Sequence, residues 1–131
     1  MKKFLNIITM LPLFILLTAC VEGEVKPSDP LWEREGCARC RMVISEKRFA
    51  VQRIFPNGEV HFYDDIVCAM KHGHDHNEGK LYVRPHDGND WVPAEKATFE
   101  SGLRTPMNSG FGAVMGDGPV SFQEILEKYK D

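Results

Sequence analysis

The stretch Lys47-Arg48-Phe49-Ala50-Val51-Gln52-Arg53-Ile54-Phe55-Pro56-Asn57-Gly58-Glu59-Val60-His61-Phe62-Tyr63 reads as a β-hairpin, and the fold follows from it. Residues 47–55 are rich in Phe, Val and Ile, which suit a pleated, half-buried surface. Pro56-Asn57-Gly58 is a tight turn, with glycine free to take positive φ. Residues 59–63 alternate, with Val60 and Phe62 on one face. Downstream, Asp64 and Asp65 can cap a short helix over residues 66–71. The polar, glycine-flanked residues 72–80 read as a loop, and Leu81-Tyr82-Val83 as a strand. Residues 86–90 turn the chain. Pro93 suits the first turn of a helix running to about residue 100, closed by Gly102. Residues 103–107 and 111–115 read as short extended pieces around Asn108-Ser109-Gly110. Ser121 and Glu124 have capping-box spacing. Phe122, Ile125, Leu126 and Tyr129 then form one apolar helical stripe. The order ββαβ, helix, extended pieces, helix predicts a small α+β domain with ββαβ-type units.

Upstream of the hairpin lies Cys37-Ala38-Arg39-Cys40-Arg41-Met42-Val43-Ile44. Two thiols and a thioether stand within six residues, a donor set that suits soft metals, Cu(I) above all. Zinc, which takes thiolate, imidazole or carboxylate, gains little from Met42. A Cys-x-x-Cys redox pair beside a core methionine is the third reading. Arg39 and Arg41 could lower a thiol pKa for such redox work, but the pair does not lie between the strand and helix of a βαβ unit. Cys68 and Met70 sit two apart on the short helix and face different ways, so Cys68 reads as a small buried hydrophobe, the alternative being that it faces the site. Met107, in the loop Thr105-Pro106-Met107-Asn108-Ser109-Gly110, is a second thioether candidate. His72, His74 and His76 form a short imidazole tract, and such tracts take Zn²⁺, Cu²⁺ or Ni²⁺ as a secondary site.

The N-terminus reads as a leader. Lys2 and Lys3 precede an apolar run over residues 4–17 that is too short for a comfortable membrane span. Leu17-Thr18-Ala19-Cys20 then resembles a bacterial lipobox. Residues 1–19 are thus expected to be a lipoprotein signal peptide, residues 20–33 a lipidated tether beginning at Cys20, and residues 34–131 the domain. The product would be exported and held by lipid on the periplasmic or cell-surface side of a membrane. Three thiols remain beyond Cys20, and an odd count in an exported protein points to a free or metal-bound thiol. The formal charge of −3 becomes −5 once Lys2 and Lys3 are lost, which excludes a basic surface for nucleic acid. No nucleophile elbow, phosphate-binding loop or His-Glu-x-x-His motif argues for an enzyme.

Lipobox Cys20, the 37–44 octet, Arg48-Phe49-Ala50, Phe62…Asp65…Cys68, Leu81-Tyr82-Val83, Trp91…Ala94…Ala97…Phe99 and Thr105-Pro106-Met107…Gly110 resemble, in that order, the NosL family. These are copper-binding lipoproteins that assist maturation of nitrous oxide reductase. The resemblance covers roughly residues 35–114 and is anchored by a Cys-x-x-Cys-Gly-Met-x-Ile motif. It implies a Cu(I) metallochaperone and not an enzyme, with Cys40 and Met42 as Cu(I) ligands, Met107 as a third ligand or partner-facing thioether, and Cys37 as a further ligand. It also implies, as partners, a copper-site maturation transporter and the reductase. The sequence departs at Arg41, where the family usually has glycine. There the charge can stabilise a thiolate, or the turn itself differs. The alternatives kept open are a thiol–disulfide oxidoreductase using Cys37 and Cys40, and a lipoprotein whose fold is stabilised by zinc.

Overall fold

A computed structural model describes residues 23–73 and 78–130. The expected signal peptide, Cys20, His74 and His76 lie outside the described residues. Among those described, no helix is long and apolar enough to cross a membrane.

The hairpin forms where the alternation and the turn place it. β1 (Val51–Ile54) pairs antiparallel with β2 (Val60–Tyr63), with Val51 opposite Tyr63 and Ile54 opposite Val60. Gly58 takes φ +85° in the turn, and Phe55 N–H donates to Glu59 O at 2.9 Å. The first strand starts later than residue 47, because Lys47–Phe49 makes a 3₁₀ turn that drives Phe49 into the interior. β1 is buried along its whole length because strands flank it on both sides: β3 (Lys80–Val83) pairs with its other edge. The helix α1 (Ile66–Met70) connects β2 to β3, and β4 (Val92–Pro93) extends the sheet to the order β2-β1-β3-β4. Arg53, almost fully buried on β1, donates to Ala69 O at the end of α1 and to Glu78 O, so one guanidinium ties the helix to the start of β3.

The helix expected from Pro93 to about residue 100 is not there. Val92–Pro93 pairs with β3, Ala94–Lys96 makes one 3₁₀ turn, and Thr98–Glu100 is a strand, β5. Phe99 and Thr98 are good strand formers, and pairing on both sides of β5 satisfies more backbone than a helix end would. β6 (Gly112–Val114) and β7 (Val120–Ser121) flank β5 in a second antiparallel sheet, ordered β6-β5-β7. Residues 103–107 do not form a strand; they belong to a loop closed by Leu103 N–H on Gly110 O at 3.0 Å. α2 (Phe122–Lys128) carries the expected capping box on Ser121 and Glu124. Its Ile125 is fully buried, and Phe122 stacks on Phe99 at 6.3 Å. The domain is thus small and α+β: two antiparallel sheets and few helices around a core of Ile44, Val51, Tyr63, Phe99 and Ile125.

The segment before the cysteines is held to this body. Ser28 exchanges two hydrogen bonds with the buried Gln52 side chain, and Asp29 accepts from Arg84 and from the Trp91 indole.

Candidate metal centre

The octet folds into a closed knuckle. Gly36 and Val43 bridge as an antiparallel pair, Ile44 N–H donates to Glu35 O at 2.9 Å, and Cys37 N–H donates to Met42 O at 2.8 Å. Arg41 N–H turns back to Cys37 O at 3.0 Å, which requires φ +67° at Arg41. The backbone conformation is therefore the one glycine adopts without strain, and here an exposed arginine holds it. We expect Arg41→Gly to raise stability by about 0.5–1 kcal/mol, a few degrees in thermal midpoint, after allowing for the freer unfolded chain. A midpoint that falls would show that the arginine side chain contributes more than its backbone costs.

The knuckle docks on the hairpin through Ala38 N–H to Phe62 O at 2.8 Å. That contact brings the two thiols over the start of α1. Asp65 is the N-cap of α1, its side chain accepting from Val67 N–H, and Cys68 lies in the first turn with its N–H on Asp65 O. Asp64, one residue before the cap, faces the knuckle. The Sγ atoms of Cys37, Cys40 and Cys68 and a carboxylate oxygen of Asp64 all lie within 4.8 Å of one another. Cys37, Cys68 and Asp64 are buried and Cys40 is half-buried, and all three thiols are free. Such a group can hold a metal ion.

The electrostatics of the four groups are mutually dependent. The Cys68 S–H, and then backbone N–H groups of Cys40, Asp64 and Arg39, stabilise a thiolate on Cys37 and hold it below the usual thiol range against the cost of burial. Cys68, which donates that hydrogen bond and is itself buried, is pushed well up. Burial pushes Cys40 up to about 11, with Asp64 beside it adding to the shift. Burial, and next the Cys37 charge, push the Asp64 carboxyl up to about 6. Asp64 Oδ2 accepts the Cys40 S–H at 3.3 Å, while Oδ1 is buried with no hydrogen-bond partner among the described residues. A buried carboxylate oxygen with no donor is costly unless a cation meets it.

Because Asp64 holds its proton more tightly folded than unfolded, its contribution to stability is present below about pH 4 and is lost as pH rises through about 6. With thiols reduced and metal removed, Asp64→Asn should therefore gain about 1–3 kcal/mol on wild type between pH 5 and 7.5, read from urea midpoints at the two pH values. A wild type that gained on the variant over that interval would contradict the raised carboxyl.

Of the residues singled out from the sequence, Cys37 and Cys40 are brought together, and Met42 follows them two residues on in the chain. Its side chain is exposed on the rim of a groove of about 630 Å³ that Asp64, Arg48 and Arg104 also line. Met107 is partly buried against the core, and its N–H donates to Asp65 Oδ2 at 2.9 Å. His72 leans on Tyr63 and His61, while His74 and His76 lie outside the described residues. Cys68 is buried, as a small hydrophobe would be, but it faces the other two thiols. The sequence marks Asp64 only as a candidate helix cap. The odd third thiol was the signal that could have pointed to Cys68, and nothing in the sequence separated Asp64 from Asp65. Comparison of the chain with protein-family models, with curated proteins and with solved structures finds no match in any of the three.

Proposed function

We propose that this chain is a Cu(I) carrier, exported and held to a membrane by lipid on Cys20, that delivers copper for assembly of an exported copper enzyme. The observation that carries this reading is the convergence of three cysteine sulfurs beside Asp64, which lines one groove with the exposed Met42. Three soft donors suit Cu(I), and a centre of that size leaves a coordination position for an incoming ligand. Cys37 is the resident thiolate and would meet the ion first. Asp64, a poor ligand for so soft an ion, accepts the Cys40 proton as that sulfur joins. Met42, on the groove rim, offers a neutral thioether for capture and hand-over, and Met107, in the loop whose Thr105, Pro106 and Asn108 line that groove, is the second thioether. The likeness to the NosL family, with its ββαβ-type unit, names the partners in this proposal: a maturation transporter and, through it, nitrous oxide reductase. A lipid tether would hold the carrier near such partners and raise its effective concentration.

Zinc is the second reading, and Asp64 favours it. Three thiolates and a carboxylate make a four-donor set of the kind Zn²⁺ takes in closed structural sites. That reading requires the domain to unfold on chelation, whereas a carrier stays folded after releasing its cargo. The deciding experiment is an anaerobic Cu(I) titration of the reduced protein against a chromophoric chelator, with Zn²⁺ run beside it. Tight 1:1 Cu(I) uptake, little Zn²⁺ binding and weaker uptake in Met42→Leu are expected. Preferred Zn²⁺ binding with loss of fold on chelation would replace the carrier with a structural zinc domain.

A further inference from the structure

The chain leaving the knuckle carries a strand edge that is paired on one side only. Val43 bridges Gly36 as an antiparallel pair, and Glu46 is extended. The inner edge of this stretch is taken: Cys37 N–H donates to Met42 O at 2.8 Å, Ile44 N–H to Glu35 O at 2.9 Å, and Glu33 N–H to Ile44 O at 3.0 Å. Along an extended chain the backbone groups of successive residues point to opposite edges. The N–H and C=O groups of Val43 and Ser45 therefore point away from the segment before the cysteines, and they have no hydrogen-bond partner among the described residues. Both residues are exposed, Val43 by 52 %. An open edge of this kind is a template for one more strand.

Val43 and Ser45 also line the groove of about 630 Å³ that has Met42 on its rim. That volume lies in the range of small-ligand pockets, which a few residues of extended chain fill. Two guanidiniums line the groove with them. Arg48 is paired with Glu46 at 3.0 Å, whereas Arg104 is exposed and meets no carboxylate among the described residues. An occupant bearing a carboxylate complements Arg104. A second copy of this chain, set edge to edge about a twofold axis, would instead bring its own Arg48 and Arg104 to the same place, like charge against like. The groove reaches the sulfur centre as well, because Asp64 belongs to both.

We propose that the recipient of the metal docks in this groove as an extended segment, adding a strand to the Val43–Ser45 edge and placing a carboxylate on Arg104. A cysteine, methionine or histidine on that segment then comes up beside the Met42 thioether, in the groove that Asp64 lines. The carrier reading supplies the identity of the occupant as a metal recipient; the edge and the groove stand without it.

The test uses the metal-free, reduced chain and a blocked, fluorescein-labelled hexapeptide of Val and Thr with one Met and one Asp, followed by anisotropy. Binding is expected. N-methylation of alternate amides removes the N–H groups of one peptide edge. In one of its two registers it should weaken binding about tenfold or more, and in the other less than about twofold. Arg104→Glu should weaken the Asp peptide about tenfold, and a peptide with Lys in place of Asp should bind that variant more tightly than wild type, which shows that the variant is folded. Indifference to both methylated registers would overturn strand addition. A wild type that binds none of the peptides, or that sediments as a dimer with this edge closed, would overturn the docking itself, whatever the Cu(I) titration shows. Peptide binding by a chain that takes up no Cu(I) would overturn the occupant as a metal recipient, and with it the carrier reading, while the edge stays a docking site.

Discussion

Cys68→Ser should lower Cu(I) affinity by on the order of 100-fold, although the sequence around Cys68 carries no ligand motif. Structural Zn²⁺ sites with three or four donors bind with roughly 10–16 kcal/mol at neutral pH; on that scale one thiolate accounts for about 3 kcal/mol, or two decades, and the proposed Cu(I) site is expected to behave alike. The serine hydroxyl fits the space, forms its own hydrogen bonds and should leave the apo fold nearly intact. Cys68→Ala, by contrast, removes the S–H donor that holds the Cys37 thiolate down, so in that variant the Cys37 pKa should rise. Two measurements follow: competition with a Cu(I) chelator, and the pH dependence of Cys37 alkylation. Affinity within a factor of three of wild type would reduce Cys68 to packing and return the site to the Cys-x-x-Cys pair.

Asp65→Ala is expected to be the most destabilising single change outside the apolar core. The Asp65 side chain, with no exposed surface, receives Val67 N–H at Oδ1 and, at Oδ2, Thr105 Oγ1–H at 2.7 Å and Met107 N–H at 2.9 Å. Removing it takes the cap from α1 and leaves the Thr105–Met107 turn without its acceptor. Hydrogen bonds to a charged group contribute about 1.5–3 kcal/mol each, and partial rescue by water leaves a net loss of about 3 kcal/mol, or more than 10 °C in midpoint. Asp65→Asn, which keeps an acceptor oxygen without the charge, should cost about half as much by the same reasoning. Urea denaturation of the two variants decides it; a loss below 1 kcal/mol would mean that the loop is held by its own contacts.

The parts of the fold that were legible in the sequence are those whose signals are local. Pro56-Asn57-Gly58 fixes a hairpin because its turn chemistry and the flanking alternation agree, and Ser121 with Glu124 fixes a helix start in the same way. The 93–100 segment misled because Pro93 is equally at home at a helix N-terminus and on an edge strand, and only pairing with β3, β6 and β7 decides between them. The centre divides along the same line. Cys37 and Cys40 are two turns of one knuckle and announce themselves by spacing. Cys68 and Asp64 join them through the docking of Ala38 on Phe62, a contact between segments 24 residues apart that no local pattern encodes. Arg41 shows the reverse: a residue with no preference for the left-handed region takes it because two hydrogen bonds around it leave no other path.

The Ala38–Phe62 contact has one more consequence. β2 is the outer strand of its sheet, and an uncovered outer strand offers its backbone to any other chain. The knuckle covers that strand at its centre. Whatever opens the knuckle, whether oxidation or alkylation of its thiols, should expose a ready site for edge-to-edge association. Light scattering of the alkylated protein at rising concentration should then climb where the reduced protein stays flat; equal traces would mean the strand needs no cover. On this account the cysteines would guard the strand edge as well as offer a site for a metal.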